Sequence, residues 1–132
     1  MNKHTVTEYL LKKPYTSVSQ PFGEGVDVFK VKDKMFATFS LGSGKEKGTN
    51  GKMAGHYCIN LKCEPNEALA LRDIFDAVIP GYHMNKKLWN TVILDGSMPQ
   101  GEIERMIDNS YLLVVSKMTK KDREMISLHQ KH

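Results

Sequence analysis

Val26-Asp27-Val28-Phe29-Lys30-Val31-Lys32-Asp33-Lys34-Met35-Phe36-Ala37-Thr38-Phe39-Ser40-Leu41 is the stretch that decides the fold. Its apolar period is two. Val26 and Val28 share one face with Lys30, while Phe29 and Val31 take the other. After a tight turn expected at Asp33-Lys34, Phe36, Thr38 and Ser40 oppose Met35, Ala37, Phe39 and Leu41. Successive side chains on a strand point to opposite faces, so this alternation predicts two paired antiparallel strands.

The pattern changes on both sides. Upstream, residues 15–24 are rich in Ser, Pro and Gly and read as a loop. Before them, Thr5-x-x-Glu8 is a capping-box pattern and Val6, Tyr9 and Leu10 share a helical face that Pro14 terminates. Downstream, Gly42, Gly44, Gly48, Gly51 and Gly55 alternate with Lys45, Lys47 and Lys52, which reads as a long flexible hairpin loop. A third strand is expected over residues 56–62, with Tyr57, Ile59 and Leu61 turned to the core and His56, Cys58, Asn60 and Lys62 away from it.

Glu64-Pro65 opens a helix, because proline suits a first helical turn, and Ala68, Leu71, Phe75 and Val78 form its apolar stripe. Residues 82–87 read as extended and residues 89–94 as a strand, closed by a turn at Asp95-Gly96. Ser97-x-x-Gln100 is a second capping box, and Ile103, Met106, Ile107, Tyr111, Val114 and Met118 keep helical spacing. The order predicts an α+β fold, a two-layer α-β-β-β-α-β-β-α arrangement with one antiparallel five-stranded sheet and helices packed on it. Residues 1–118 are expected to form a single domain, and residues 119–132 a basic C-terminal tail, loosely helical.

Composition narrows the function classes. The 132 residues fit one domain with a core of its own, and no apolar run approaches the roughly 20 residues of a membrane-spanning helix. With no secretory leader at the N-terminus, a cytoplasmic location and no membrane partner are expected. The net charge is +4, unevenly spread: residues 30–62 carry seven lysines against Asp33 and Glu46. The basic residues are 16 Lys and 3 Arg. Bidentate reading of bases favours arginine, so an anionic partner would be held through its phosphates.

Catalytic patterns are missing from the sequence. The Gly42–Gly55 loop holds neither GxxxxGK[ST] nor GxGxxG, and it joins two strands rather than feeding a helix. No serine sits in a GxSxG elbow. Cys58 and Cys63, five apart, match no zinc spacing, and Asp95 before Gly96 reads as a turn residue. A non-enzymatic binding domain without cofactor or metal is the expectation.

The densest polar segment is Pro80-Gly81-Tyr82-His83-Met84-Asn85-Lys86-Lys87-Leu88-Trp89. His83 and Asn85 can donate to a phosphate oxygen, Lys86 and Lys87 supply charge, and Trp89 either stacks on a base or anchors the core. The lysines of the glycine-rich loop, Lys45, Lys47 and Lys52, add a wing that could lie along a phosphate backbone. The nucleic-acid-binding candidates are therefore His83, Asn85, Lys86, Lys87, Trp89, Lys45, Lys47 and Lys52. Two other readings remain: a protein- or peptide-binding module using an exposed sheet face, and a small-ligand site near His83.

The blocks Val28-Phe29-Lys30-Val31, Lys34-Met35-Phe36-Ala37, Ile59-Asn60-Leu61-Lys62-Cys63-Glu64-Pro65, Pro80 to Trp89, Leu94-Asp95-Gly96 and Ser110-Tyr111-Leu112-Leu113-Val114 together resemble the MmcQ/YjbR family over residues 5–118. The resemblance implies a fold like that of CyaY and type III secretion chaperones. It also implies a "double wing" DNA-binding role in the bacterial cytoplasm, with His83, Asn85, Lys86, Lys87 and Trp89 as contacts. Two departures stand out. Glu64 replaces the Asp often found at that helix start, and the Gly42–Gly55 loop is longer and more basic than usual, so its role is not inherited.

Overall fold

The alternation over residues 26–41 forms the hairpin it predicts, and eight further elements extend it. The computed structural model describes residues 1–130. In chain order these are helix α1 (Lys3–Leu11), strands β1 (Thr16–Ser19), β2 (Val26–Val31), β3 (Lys34–Leu41) and β4 (Tyr57–Lys62), helix α2 (Pro65–Ile74), strands β5 (Val78–Pro80) and β6 (Trp89–Ile93), and helices α3 (Gln100–Ser116) and α4 (Lys120–Gln130). The fold is α+β with one antiparallel sheet in the order β1-β2-β3-β4-β6-β5. The sheet has six strands rather than the expected five. Two were not expected: β1, a four-residue edge strand whose serines leave no apolar alternation to read, and β5, which stands in place of the strand expected over residues 82–87.

Local chemistry sets the joints. Lys32 and Asp33 both take left-handed backbone, φ +45° and +68°, which is the primed turn that suits a two-residue hairpin. The turn therefore falls one residue earlier than Asp33-Lys34. Helix α1 begins at a reciprocal cap between Asn2 and Thr5, not at Thr5 and Glu8: the Thr5 amide donates to Asn2 Oδ1 and the Asn2 amide to Thr5 Oγ1, each at 2.9 Å. At α2, Glu64 caps well despite its extra methylene, accepting from the amides of Asn66 and Glu67 at 3.1 and 3.0 Å. That helix ends at Ile74, so Val78 belongs to β5 rather than to the helical stripe. Ser97 does not cap α3. It closes the Asp95 turn, and Pro99 occupies the cap position.

Cross-strand register divides the sheet into two faces. Phe29, Ala37 and Leu61 form one row and Phe39, Ile59 and Val92 the next, all on the face that carries the helices. The helices seat Val6, Leu10, Ile103, Met106, Ile107, Tyr111 and Val114 against that face, giving a core that water does not enter. The register slips at Phe29/Lys30, leaving Phe36 as the extra residue of a bulge. There the buried hydroxyl of Ser110 donates to Phe36 O at 2.5 Å and accepts from Lys62 N at 2.8 Å. One α3 side chain thus ties the ends of β3 and β4. Helix α4 occupies most of the basic tail. Its Ile126 is buried in the same core, and residues 131 and 132 lie outside the described residues.

The opposite face bears the row Val28, Thr38, Asn60, Thr91 and Ile79. Cys58 and Ile93 pair beside it. Cys58 points away from the helices as expected, yet it is buried, because the chain between β3 and β4 folds back over this face and plants Met53 in the core.

Candidate anion-binding surface

The site is built on a row of three polar side chains where apolar ones would ordinarily sit. Asn60 Nδ2 donates to Thr38 Oγ1 at 2.9 Å, and the Thr91 hydroxyl donates to Asn60 Oδ1. Thr91 Oγ1 accepts from Tyr82 N at 2.9 Å, and Asn60 Nδ2 also reaches Tyr82 O at 3.4 Å. Buried polar groups hold a unique position only when every partner is present. Here they hold both backbone polar groups of Tyr82, and through them the loop that follows β5.

That loop is a chain of turns, not the extended segment expected over residues 82–87. Gly81 donates to Trp89 O at 3.0 Å and accepts from Met84 N at 3.2 Å. His83 is left-handed at φ +60°, with its ring tilted against Tyr82 at 4.1 Å between centroids. Asn85 Oδ1 accepts from the amides of Lys87 and Leu88 at 2.9 and 3.2 Å. Side chains over residues 82–87 therefore do not alternate between two faces as they would on a strand. Gly81 is required by close approach: a Cβ there would lie 2.8 Å from Trp89 Cβ and 3.0 Å from Trp89 O.

Arg72 fastens the loop from below. Its Nε donates to Asn90 Oδ1 at 2.7 Å, and its Nη2 donates to Trp89 O at 3.3 Å and to Lys86 O. Read from the sequence, Arg72 is one more helix-surface charge. No pattern at the level of residue spacing announces its role.

The chain between β3 and β4 is likewise no free wing. Gly42 N donates to His56 O at 2.8 Å and Gly55 N to Gly42 O at 3.0 Å, closing its base. At its tip the Glu46 carboxylate accepts from Ser43 N, Ser43 Oγ and Gly44 N, and these hydrogen bonds hold its pKa below the usual carboxylate range. Lys47 N donates to Tyr82 OH at 3.4 Å, joining the two loops.

Between the loops and β5 lies a concavity of about 380 Å³ whose basic lining residues are Lys47, Lys52 and Lys86, around Tyr82, Ile79 and Thr49. No carboxylate lines it. Lys52 Nζ donates to Asp76 O at 2.9 Å and Lys86 Nζ to Gly81 O at 3.2 Å. An ammonium has three N–H donors, so each spends one on a neutral carbonyl and keeps its charge and two donors for another acceptor. Three of the eight sequence candidates are thus brought together. Lys45, His83 and Lys87 are exposed on the same two loops but do not line the concavity. Asn85 is exposed, and its carbonyl oxygen is committed to the turn. Trp89 is a correction: only 8% exposed, its indole is a core group and offers no face for a base to stack on.

Nucleophilic chemistry finds no footing at the cysteines. Burial pushes the Cys58 thiol up to about 12 and that of Cys63 up to about 11, far from the thiolate form. Asp95 accepts from the amide and hydroxyl of Ser97 at 2.9 and 2.6 Å, as a turn residue does. Among the described residues no three His, Cys, Asp or Glu side chains gather as metal ligands, and no helix is long and apolar enough to cross a membrane.

A helix-backed antiparallel sheet, with two interlocked lysine-bearing loops on its other face, defines a small two-layer α+β domain. The chain belongs to the YjbR family, whose model matches residues 11–113. It is 31% identical over 122 residues to the uncharacterised protein YbdF of Escherichia coli O157:H7, covering 92% of this chain and 91% of that one. To the uncharacterised protein YjbR of Escherichia coli (strain K12) it is 29% identical over 119 residues, 90% and 92% of the two chains. The Deinococcus radiodurans protein DR2400 has a crystal structure similar to this one, with TM-score 0.79 at 29% identity, covering 96% of this chain and 88% of that one. A Pseudomonas syringae protein superposes with TM-score 0.76 at 31% identity over 86% and 99% of the chains.

Proposed function

We propose that this protein is a non-enzymatic DNA-binding domain that grips the phosphate backbone of duplex DNA. The carrying observation is the concavity formed by Lys47, Lys52 and Lys86, lined by three ammonium groups and no carboxylate. Lys52 and Lys86 are positioned by carbonyls rather than neutralised by acids, which keeps the local field positive. Exposed Lys45 and Lys87 lie on the same two loops and lengthen the positive surface along the chain, and exposed His83 adds a hydrogen-bonding ring to it. Lysine is a point charge without a bidentate fork, so the grip is on phosphates and carries little sequence preference. Trp89 contributes as the buried anchor of the loop.

The test is fluorescence anisotropy of a labelled duplex of about 20 base pairs at low salt. Binding that is indifferent to base sequence, and at least tenfold weaker in Lys47→Glu/Lys86→Glu, is expected. Equal binding by the variant, or no binding by the parent protein, rejects the proposal.

A further inference from the structure

A second basic concavity, of about 430 Å³, lies away from the two loops, where the β2–β3 turn meets the corner between α3 and α4. Lys34, Lys62 and Lys117 line it, and among the described residues none of them pairs with a carboxylate. Lys32 lines it too, but its Nζ is held by Asp122 Oδ1 at 3.1 Å and lies over the Tyr15 ring. Met35, Val114 and Met118 supply apolar lining. Four lysines facing one carboxylate across a confined space repel one another, and an anion between them relieves that repulsion. The volume falls in the range of small-molecule sites, and the mixture of flexible thioethers with a few charged heads suits a ligand with an apolar body and an anionic end.

We infer that this concavity binds a small phosphate-bearing ligand of nucleotide size. The ammonium groups of Lys34, Lys62 and Lys117 take its phosphates, and Met35, Val114 and Met118 its apolar body. The site differs from the first in its setting: it lies at a helical corner beside the β2–β3 turn, whereas the loop site lies between two loops and β5. It shares no residue with the proposed DNA surface.

Methionine methyl NMR on the full chain tests the inference, with ADP as the probe. Met35 and Met118 report on this concavity, and Met53 and Met84 on the two loops of the other face. Saturable shifts of the Met35 and Met118 methyls, with Met53 and Met84 unmoved, are expected. In Lys34→Glu/Lys117→Glu, which alters two exposed side chains, ADP should bind at least about tenfold more weakly. Asp122→Asn frees Lys32 and should bind ADP about two- to fivefold more tightly. No shift of Met35 or Met118 up to about 5 mM ADP, unchanged affinity in the double variant, or unchanged or weaker affinity in Asp122→Asn each overturns the inference. Duplex binding by the Lys34→Glu/Lys117→Glu protein reads the loop site separately, so failure here leaves the DNA proposal standing or falling on its own.

Discussion

Arg72 Nε donates to Oδ1 of Asn90 at 2.7 Å, and that amide is only 2% exposed. The same guanidinium reaches Trp89 O and Lys86 O, so one helical side chain holds the loop that carries the lysines. Replacing Arg72 with Ala leaves the buried Asn90 amide oxygen and Lys86 O without this donor and Trp89 O with Gly81 N alone, at a cost of about 2–3 kcal/mol. Lysine lacks the fork and should recover less than half of that. Urea unfolding measures the loss, and faster amide exchange confined to residues 81–89 in Arg72→Lys would locate it. Unchanged exchange there would contradict the clamp.

Two tightly packed glycines should behave unlike a roomy one. A Cβ on Gly42 would fall 1.9 Å from Met53 O, and one on Gly81 2.8 Å from Trp89 Cβ. Gly42→Ala and Gly81→Ala should each destabilise by about 2 kcal/mol or more, because backbone has to move. Gly101, in the first turn of α3, has nothing within 4 Å of its would-be Cβ, so Gly101→Ala should stabilise by about 0.5–1 kcal/mol. Thermal melts of the three variants decide the ordering.

Asn60 and Thr91 should be coupled. Asn60→Ala strands Thr38, Thr91 and the Tyr82 carbonyl together, at about 2–3 kcal/mol, whereas Thr91→Val removes the bond the two residues share and the one from Tyr82 N. The double variant should therefore cost about 1 kcal/mol less than the two single losses combined. Strict additivity in a double-mutant cycle would show that the row does not act as a unit.

The strands at residues 26–31, 34–41 and 57–62 are legible in the sequence because their apolar residues recur with a period of two. Strand β1 is not, since Ser17, Val18 and Ser19 are exposed on an edge and pay no apolar tithe to the core. The candidate surface was legible as composition, in the lysines of two segments, but not as geometry. Alternation cannot foresee that Gly81 packs against Trp89 and that Asn85 caps a turn, and these two contacts turn residues 82–87 from a strand into a loop. Arg72 and Thr91 were hidden because their partners are far away in the chain.

The thiols give a pH signature. Burial raises Cys58 from 9.0 to about 12 and Cys63 from 9.0 to about 11. A thiol whose folded pKa is raised contributes stability that is present below the unfolded value and lost as pH climbs through the folded one. Stability should therefore fall from about pH 9 towards 11. The fall should be shallower in Cys58→Ala/Cys63→Ala, measured by urea midpoints, which isolates the contribution of the thiols. At pH 8 the native protein should resist iodoacetamide, and urea should unmask both thiols.

The claim that Lys47, Lys52, Lys86 and Lys87 meet phosphates is tested most directly by the salt dependence of duplex binding. Four such contacts predict a slope of log K against log salt of about −3 to −4, and Lys86→Ala should make it shallower by about 1. A slope near zero, or one that Lys86→Ala leaves unchanged, would contradict it.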